Sequence, residues 1–363
     1  MLNEIEMAYG RKKIASGQIV IQPVCIETID IEEPCFDEVM YYIRRINFIT
    51  PADYNNSAAI AKEILEANKT LLGWQQKPVV KERTASLYYS SDREDKRLAI
   101  QNALLKRFDE DVYNKICADY PTPTVLDIGC GDGYVITDRL SACTSYHLVG
   151  VDWDEAKLTE AQARYPHARF YKADIEAENF SDELRAIADK ENVAQFDIIN
   201  ISMVLLHLKF QCKLLRILRR FLSPNGLLII KDIDDGINFA YPTDDIDFER
   251  VYKICDDNET SGVRRNGRQI FTNLVRAGYK NISLEKQGLT SIGMSYDEKE
   301  DFFNLYFRLV LGDIRWMKQK YPDNIGIAED CQWLEDNYEK MYESFMKDDF
   351  IFSLGFQIYL ARR

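Results

Sequence analysis

The chain has 363 residues, 46% of them hydrophobic, which is enough to bury the core of a full α/β domain and to leave material for accessory segments. Its formal net charge of −13 disfavours a nucleic-acid partner, because contact with a phosphate backbone gains affinity through Lys and Arg. No apolar run approaches the length of a membrane span and the first residues lack a signal-peptide pattern, so we expect a cytoplasmic protein without a membrane partner.

Residues 1–80 carry no recognisable catalytic motif. Their pattern predicts a strand in Gly17–Ile29, an amphipathic helix in Phe36–Asn47 and a second helix in Asn56–Leu72. We interpret this mainly helical region as a lid, a partner-binding element or a dimerisation arm, the last of which would make a homodimer. Helix pairs also occur in DNA-binding modules, but two helices alone are a weak indication.

The segment Val125–Gly133 predicts a buried strand that passes Asp127 and opens into a loop with Gly129, Gly131 and Gly133. Glycines allow such a loop unusual dihedrals and a close approach of a flat ligand to the backbone. A dinucleotide-binding fingerprint needs its third glycine three residues after the second, and a P-loop needs Gly-Lys-Ser/Thr. Neither pattern is present, so both of these ligand classes are disfavoured.

Three more predicted strands follow, each after a helix-length segment: Tyr146–Asp152, Ala168–Ile175 and Phe196–Ser202. In a βαβ arrangement the carboxyl end of the second strand lies beside the glycine loop, at the edge where open parallel sheets bind ligands. A carboxylate at Asp152 could there accept both hydroxyls of a ribose. It could instead merely cap a helix that begins near Asp154.

With Asp127 ahead of its glycines, the loop resembles motif I of class I S-adenosylmethionine-dependent methyltransferases, and the resemblance extends over about Pro123–Asp235. It implies a Rossmann-like fold, a seven-stranded and mostly parallel sheet with helices on both faces, and S-adenosyl-L-methionine as cofactor. The residues that the resemblance assigns to the cofactor are Asp127, Gly129, Cys130, Gly131, Gly133, Asp152, Trp153, Asp174, Ile175, Asn200, Ile201 and Ser202.

The resemblance also implies separate roles for these residues. Asp174 would accept a hydrogen bond from the adenine amino group and Ile175 would pack on the ring, while Trp153 could lie against the adenine face. The methionine part would lie against residues 200–202. In the segment before motif I, aromatic and Arg side chains would reach the methionine carboxylate. The candidates are Tyr88, Tyr89, Arg93 and Arg97, although such residues are also ordinary surface features. A helix is predicted after them, from Leu98 to about Ala118.

Beyond a turn at Leu222–Gly226, a fifth strand is predicted at Leu227–Asp232, followed by further acids at Asp234 and Asp235. These acids could hold a cationic substrate or a divalent metal, or form a polar loop with a helix cap. Later elements are a helix at Arg268–Ala277, a sixth strand at Tyr279–Lys286 and a last strand at Phe350–Leu360.

The long interval before the last strand predicts a helical insertion at residues 297–349. We interpret residues 81–296 and 350–363 as the methyltransferase core. Most aromatic residues of the insertion should belong to its core, and a minority could form the roof of a substrate pocket, because this fold varies its specificity in such additions.

The resemblance implies an enzyme that transfers a methyl group to oxygen or nitrogen of a small molecule or protein by in-line displacement. Residues 200–203 read Asn-Ile-Ser-Met, which lacks the Asn/Asp-Pro-Pro-Tyr/Phe of many enzymes that methylate exocyclic or amide nitrogens. We assign no catalytic residue, because the best base candidate, His207, lies in a Leu-Leu-His-Leu context typical of a packed histidine. The alternatives are a regulatory protein that binds the cofactor without turnover and, against the acidic charge, a nucleic-acid methyltransferase.

The cysteine and histidine pattern argues against a metal centre. The eight cysteines contain no Cys-x-x-Cys pair, and the three histidines do not pair at the spacing of metal ligands. We therefore expect no structural zinc and no other metal. The cysteines are interpreted as buried or incidental thiols of a reducing compartment.

Overall fold

A computed structural model describes residues 91–243, 246–256 and 262–363. The strand and helices predicted in residues 1–80, and the candidates Tyr88 and Tyr89, lie outside the described residues. Arg93 and Arg97 lie in the first helix, which begins at Ser91 and therefore earlier than the sequence predicted.

The described residues form ten α-helices, a short π-helical segment and eight strands. The helices are α1 Ser91–Asp119, α2 Tyr134–Arg139, α3 Glu155–Arg164, α4 Phe180–Lys190, α5 Gln211–Phe221, α6 Phe248–Asp256, α7 Gly267–Arg276, α8 Tyr296–Phe303, α9 Leu309–Lys320 and α10 Ile325–Phe345. The strands are β1 Thr124–Ile128, β2 His147–Asp152, β3 Arg169–Lys172, β4 Phe196–Ser202, β5 Leu222–Ile233, β6 Phe239–Tyr241, β7 Lys280–Thr290 and β8 Ile351–Arg362.

The strands form one mixed sheet. Strands β3, β2, β1, β4 and β5 are parallel in that order, and β8 is antiparallel to β5. Gln357 on β8 pairs with both β5 and β7, so these two strands flank β8 on opposite sides. Ser353 pairs with both β6 and β7, which places the three-residue β6 on the β5 side of β8. The predicted seven-stranded, mostly parallel sheet is confirmed, and β6 is an addition to it.

Side chains of the central strands alternate between two apolar cores, as the period-2 geometry of a strand requires. Val125 and Ile198 belong to the core on the side of α1 and the later helices, whereas Leu126 and Ile199 belong to the core with α4, α5 and α7. Burial on both faces explains why these strands are continuous apolar runs rather than alternating ones. The sheet therefore has helices on both faces.

Two local predictions are corrected. Residues 222–226, predicted as a turn, belong to β5, where the pairing with β4 shifts register between Phe196 and Ile198. Cys117 and Cys143 form a disulfide, so the expectation of free thiols is wrong for this pair. The four cysteines that are free in the described part of the chain are all buried.

The insertion before β8 consists of α8, the π-helical segment Asn304–Arg308, α9 and α10. Its aromatic side chains form one buried cluster with the start of β8 and with Phe248 on α6. The members that are at most 2% exposed are Phe302, Phe303, Tyr306, Phe307, Phe345, Phe352. Phe303 and Phe307 stack with ring centroids 4.8 Å apart. The structure thus buries five aromatic residues of this segment in the core that lies on the α1 side of the sheet, while Trp316, Trp333, Tyr338 and Tyr342 are half-buried.

Among the residues that the structure describes, no helix is both long enough and apolar enough to cross a bilayer.

We expect Phe345→Ala to lower the free energy of unfolding by about 3–5 kcal/mol, because it removes a fully buried ring and leaves a cavity between several others. The measurement is urea denaturation followed by far-UV circular dichroism. The control is Ile325→Ala at a position that is 74% exposed, where the change should stay within about 0.5 kcal/mol. Equal effects of the two substitutions would contradict the central role of the aromatic cluster.

Candidate functional site

The chain turns sharply after β1 in a loop formed by residues 129–133. Gly129, Gly131 and Gly133 have φ angles of 71°, 53° and 73°, a left-handed region that favours glycine. The amides of Gly129 and Cys130 both donate to the carbonyl of Val151 at the end of β2, at 2.8 and 3.1 Å. The loop is therefore fixed against the neighbouring strand by its own backbone.

The three glycines are needed for different reasons. A Cβ at Gly129 would lie 2.5 Å from a methyl group of Val204, and one at Gly133 would lie 2.8 Å from the ring of Phe170. A Cβ at Gly131 would meet no described atom within 4 Å. The outer two glycines thus permit close packing inside the protein, whereas Gly131 leaves an open backbone surface where a ligand can lie.

Asp152, the last residue of β2, holds this open surface in place. One carboxylate oxygen accepts a hydrogen bond from the Gly131 amide at 2.8 Å and the other accepts from the Asp154 amide at 2.9 Å. Asp152 does not cap α3, because the cap is Asp154, whose side chain accepts hydrogen bonds from two amides in the first turn of that helix. Since each oxygen of Asp152 has a second lone pair, the carboxylate can still accept two donors from a ligand.

Behind the loop, Asp127 belongs to a buried hydrogen-bonded chain. The side-chain amide of Asn200 donates to Asp127 at 2.7 Å, and the hydroxyl of Tyr113 on α1 donates to the Asn200 carbonyl oxygen at 2.6 Å. Burial raises the pKa of Asp127 to about 7, against the opposing effect of the hydrogen bond from Asn200. The polar groups of Asp127 and Asn200 are thus bonded to each other and support the strand ends from within.

A buried ionic cluster lies beside this chain. Asp109 on α1 accepts from Arg139 at 2.6 Å and forms an ion pair with Lys231 on β5, and all three side chains are at most 1% exposed. Burial lowers the pKa of Lys231, and the charge of Asp109 opposes that shift. The roles of these three residues were not predicted from the sequence. The available signal was Lys231 itself, because a charge inside the apolar run of β5 needs a partner.

The remaining cofactor candidates differ in exposure. Trp153 is 46% exposed beside the loop, and Asp174 is exposed beyond the end of β3, which stops at Lys172 rather than reaching Ile175. Ile175 and Ser202 are half-buried. Ile201 is fully buried in the core with α4 and α5, so its side chain is part of that core.

Cys130 fills a small space inside the loop, where its side chain is 8% exposed. Burial raises the pKa of its thiol, and the nearby carboxylates of Asp127 and Asp152 raise it further. A raised pKa leaves the thiol protonated, and a thiol is less reactive than a thiolate. The residue therefore has the properties of a small buried side chain.

The acids at the end of β5 and directly after it are buried inside the protein and are not presented to a ligand. Asp234 is paired with Arg268 at 2.8 Å and Asp235 with Arg264 at 2.9 Å, while Asp232 accepts hydrogen bonds from a backbone amide and from an asparagine. All three acids are at most 2% exposed, and burial raises the pKa of Asp232 to about 7. Of the interpretations left open by the sequence, the structure favours the polar loop, in which Asp234 caps the 3-10 turn Asp235–Ile237.

Within the described ranges no group of three or more His, Cys, Asp or Glu side chains is arranged to hold a metal ion. His207 lies in a 3-10 turn after β4 and is exposed, so the expectation of a packed histidine is wrong.

Comparison with known proteins finds similarity to methyltransferases in this region. Residues 121–270 match a family model described as a methyltransferase domain. A probable S-adenosylmethionine-dependent methyltransferase of Mycobacterium tuberculosis is 27% identical over 146 residues, which cover 40% of this chain and 48% of that protein. A malonyl-[acyl-carrier protein] O-methyltransferase of Halalkalibacterium halodurans is 26% identical over 150 residues, 40% of this chain and 51% of that protein.

This chain thus spans about half the length of the curated relatives that it matches. Among solved structures, the YcgJ protein of Bacillus subtilis superposes with a TM-score of 0.39 at 17% identity, over 67% of this chain and 93% of that one.

We expect Asp127 to make the fold less stable as the pH rises. Its folded-state pKa of about 7 lies above the ordinary value of 3.8. Between those two pH values the folded protein keeps a proton that the unfolded chain has lost, so the free energy of unfolding falls as the pH rises. Between pH 4.5 and 7.5 the wild type should therefore lose roughly 2–4 kcal/mol more than Asp127→Asn, since one pKa unit is about 1.4 kcal/mol.

The measurement is urea denaturation of both proteins across this pH range. Asp232 titrates in both and is a shared background. Parallel stability curves for the two proteins would show that Asp127 has an ordinary pKa.

Proposed function

We propose that the chain is a class I S-adenosylmethionine-dependent methyltransferase that transfers a methyl group from S-adenosyl-L-methionine to an acceptor, since residues 121–270 match a model described as a methyltransferase domain. The observation that carries the proposal is the open backbone surface at Gly131, held by Asp152, at the carboxyl edge of a parallel sheet. Ligands of open α/β sheets bind at this edge.

In this proposal the adenosine lies across the ends of β1, β2 and β3. The two unused acceptor positions of Asp152 receive the ribose hydroxyls, and Trp153 offers an exposed indole face for the adenine. Asp174 accepts from the adenine amino group, and Ile175 packs on the ring. The methionine part lies against the backbone at residues 200–202 and the half-buried Ser202.

The proposed reaction needs little covalent work from the protein. A lone pair on the acceptor oxygen or nitrogen forms a bond to the methyl carbon while the carbon–sulfur bond breaks, and the sulfur keeps both electrons. S-Adenosylhomocysteine leaves, and a proton on the nucleophile passes to a base or to solvent. The protein contributes by aligning the three reacting atoms and excluding water. No described residue is assigned as the base.

We propose a small molecule or a protein side chain as acceptor, in the cytoplasm, with residues 1–80 as an accessory region and residues 297–349 as an insertion that shapes the acceptor side. The M. tuberculosis relative is named only as a methyltransferase, whereas the H. halodurans relative is named for malonyl-[acyl-carrier protein].

Asp152→Asn should weaken S-adenosylmethionine binding about 10- to 100-fold, because charge-assisted hydrogen bonds to the ribose contribute roughly 1.5–3 kcal/mol. The measurement is isothermal titration calorimetry. Asp154→Asn is the matched control, since Asp154 caps α3 without lying between the loop and β2. It should leave the affinity nearly unchanged. Unchanged affinity in Asp152→Asn would contradict the ribose assignment.

Turnover is tested by incubating the full chain with S-adenosylmethionine and a panel of metabolites and cell proteins, and by measuring the release of S-adenosylhomocysteine. We expect acceptor-dependent release that Asp152→Asn reduces by the same factor as the affinity when the cofactor is limiting. Tight cofactor binding without release on any acceptor would favour the alternative of a regulatory protein that senses S-adenosylmethionine.

A further inference from the structure

A second concave site lies between β6 and the first turns of α6. It is a cavity of about 430 Å³, of a size that holds a small organic molecule. Its floor is formed by Ile246, Phe248 and Tyr252, which are at most 6% exposed, and Phe239 stands 47% exposed at its mouth. Because β6 follows the carboxyl end of β5, the cavity lies beyond the same edge of the sheet as the glycine loop.

The chemistry of the lining is aromatic and acidic. Asp247 and Glu249 line the cavity as exposed carboxylates, and none of its described lining residues is Lys or Arg. The nearest cation along the chain, Arg250, is turned away, since its guanidinium donates to Asp330 at 2.8 Å and lies over the ring of Trp333. Asp247 accepts a hydrogen bond from the backbone amide of Arg250 at 3.1 Å, and no cationic side chain among the described lining residues neutralises Asp247 or Glu249. Aromatic faces beside such carboxylates attract an organic cation.

A separate observation points to a ligand. The hydroxyl of Tyr252 is buried and has no hydrogen-bond partner among the described residues. Buried polar groups in folded proteins are nearly always paired, so an orphaned hydroxyl in a cavity wall is a place where a ligand group can bond. Burial and the neighbouring charge of Glu249 raise the pKa of Tyr252, which keeps the hydroxyl neutral.

The aromatic wall of the cavity is supported from behind by the helical insertion. The ring of Phe248 meets that of Phe307 edge-on at 5.8 Å, and the ring of Tyr252 meets that of Tyr306 at 6.3 Å. The insertion itself contributes none of the described lining residues. It therefore fixes the orientation of the binding rings, which lowers the entropic cost of binding.

We propose that this cavity binds a small organic cation, a protonated or quaternary amine, between Phe239 and Phe248 and beside the carboxylates of Asp247 and Glu249, with the Tyr252 hydroxyl as its polar contact. If the bound cation is the methyl acceptor, which rests on the proposed methyl transfer, its cationic group anchors the molecule and a separate oxygen or nitrogen supplies the lone pair. The binding of a cation in this cavity does not depend on the proposed methyl transfer.

The test is calorimetric titration of the full chain with 2-phenylethylamine and benzyltrimethylammonium, each compared with the neutral 2-phenylethanol of similar size. We expect at least one cation to bind ten times more tightly than the alcohol. The double variant Asp247→Asn with Glu249→Gln should remove this preference, and Tyr252→Phe should weaken cation binding several-fold. Glu343→Gln on the exposed side of α10 is the matched control and should change nothing.

S-Adenosylmethionine affinity is measured in the same samples, so that the two proposals can fail separately. Cation binding that depends on Asp247 and Glu249, with unchanged cofactor affinity, supports the cavity as a site of its own. Cation binding in a protein that does not bind S-adenosylmethionine would sink the proposed methyl transfer and leave the cavity proposal standing. Equal binding of cations and alcohol, or a preference that survives in the double variant, would overturn the cavity proposal.

Discussion

The carboxylate of Asp109 lies where solvent does not reach it, between the guanidinium of Arg139 and the ammonium of Lys231. Removing one member of such a buried cluster leaves an uncompensated charge, so the positions of its members are tightly constrained. The cluster joins α1, α2 and β5. The parallel chain from Tyr113 through Asn200 joins α1 to the strand ends as well. The strand ends that carry the glycine loop are therefore held by buried hydrogen bonds and ion pairs within the protein.

Much of the fold could be predicted because its signals are local. Apolar runs that end in acids or glycines indicated the parallel strands, and the order of strands and helices indicated a doubly wound sheet. The loop at Gly131 and the position of Asp152 followed from the same pattern. The structure shows the role of Asp152: its carboxylate accepts a hydrogen bond from the Gly131 amide of the loop. The residue that caps the following helix is Asp154 and not Asp152.

The rest could not be predicted because the partners are far apart in the chain. Asp109 and Lys231 are separated by 122 positions, and Tyr113 and Asn200 by 87, so no spacing reports their contact. The disulfide of Cys117 with Cys143 joins a helix to a loop across β1 and leaves no pattern of its own. The acids after β5 looked available for a ligand, and only the folded chain shows their arginine partners.

Two segments are added to the predicted seven-stranded sheet, and they contact each other. One lies between β5 and α7 and contains the cavity residues of β6 and α6, and the other is the helical segment before β8. They meet through the rings of Phe248 and Phe307 and through the pairing of Arg250 with Asp330. A side chain in the second addition can thus move the cavity wall without contacting what the cavity holds. If the cavity anchors the acceptor, substitutions in α8 to α10 would alter acceptor preference while the glycine loop, supported from α1, keeps its geometry.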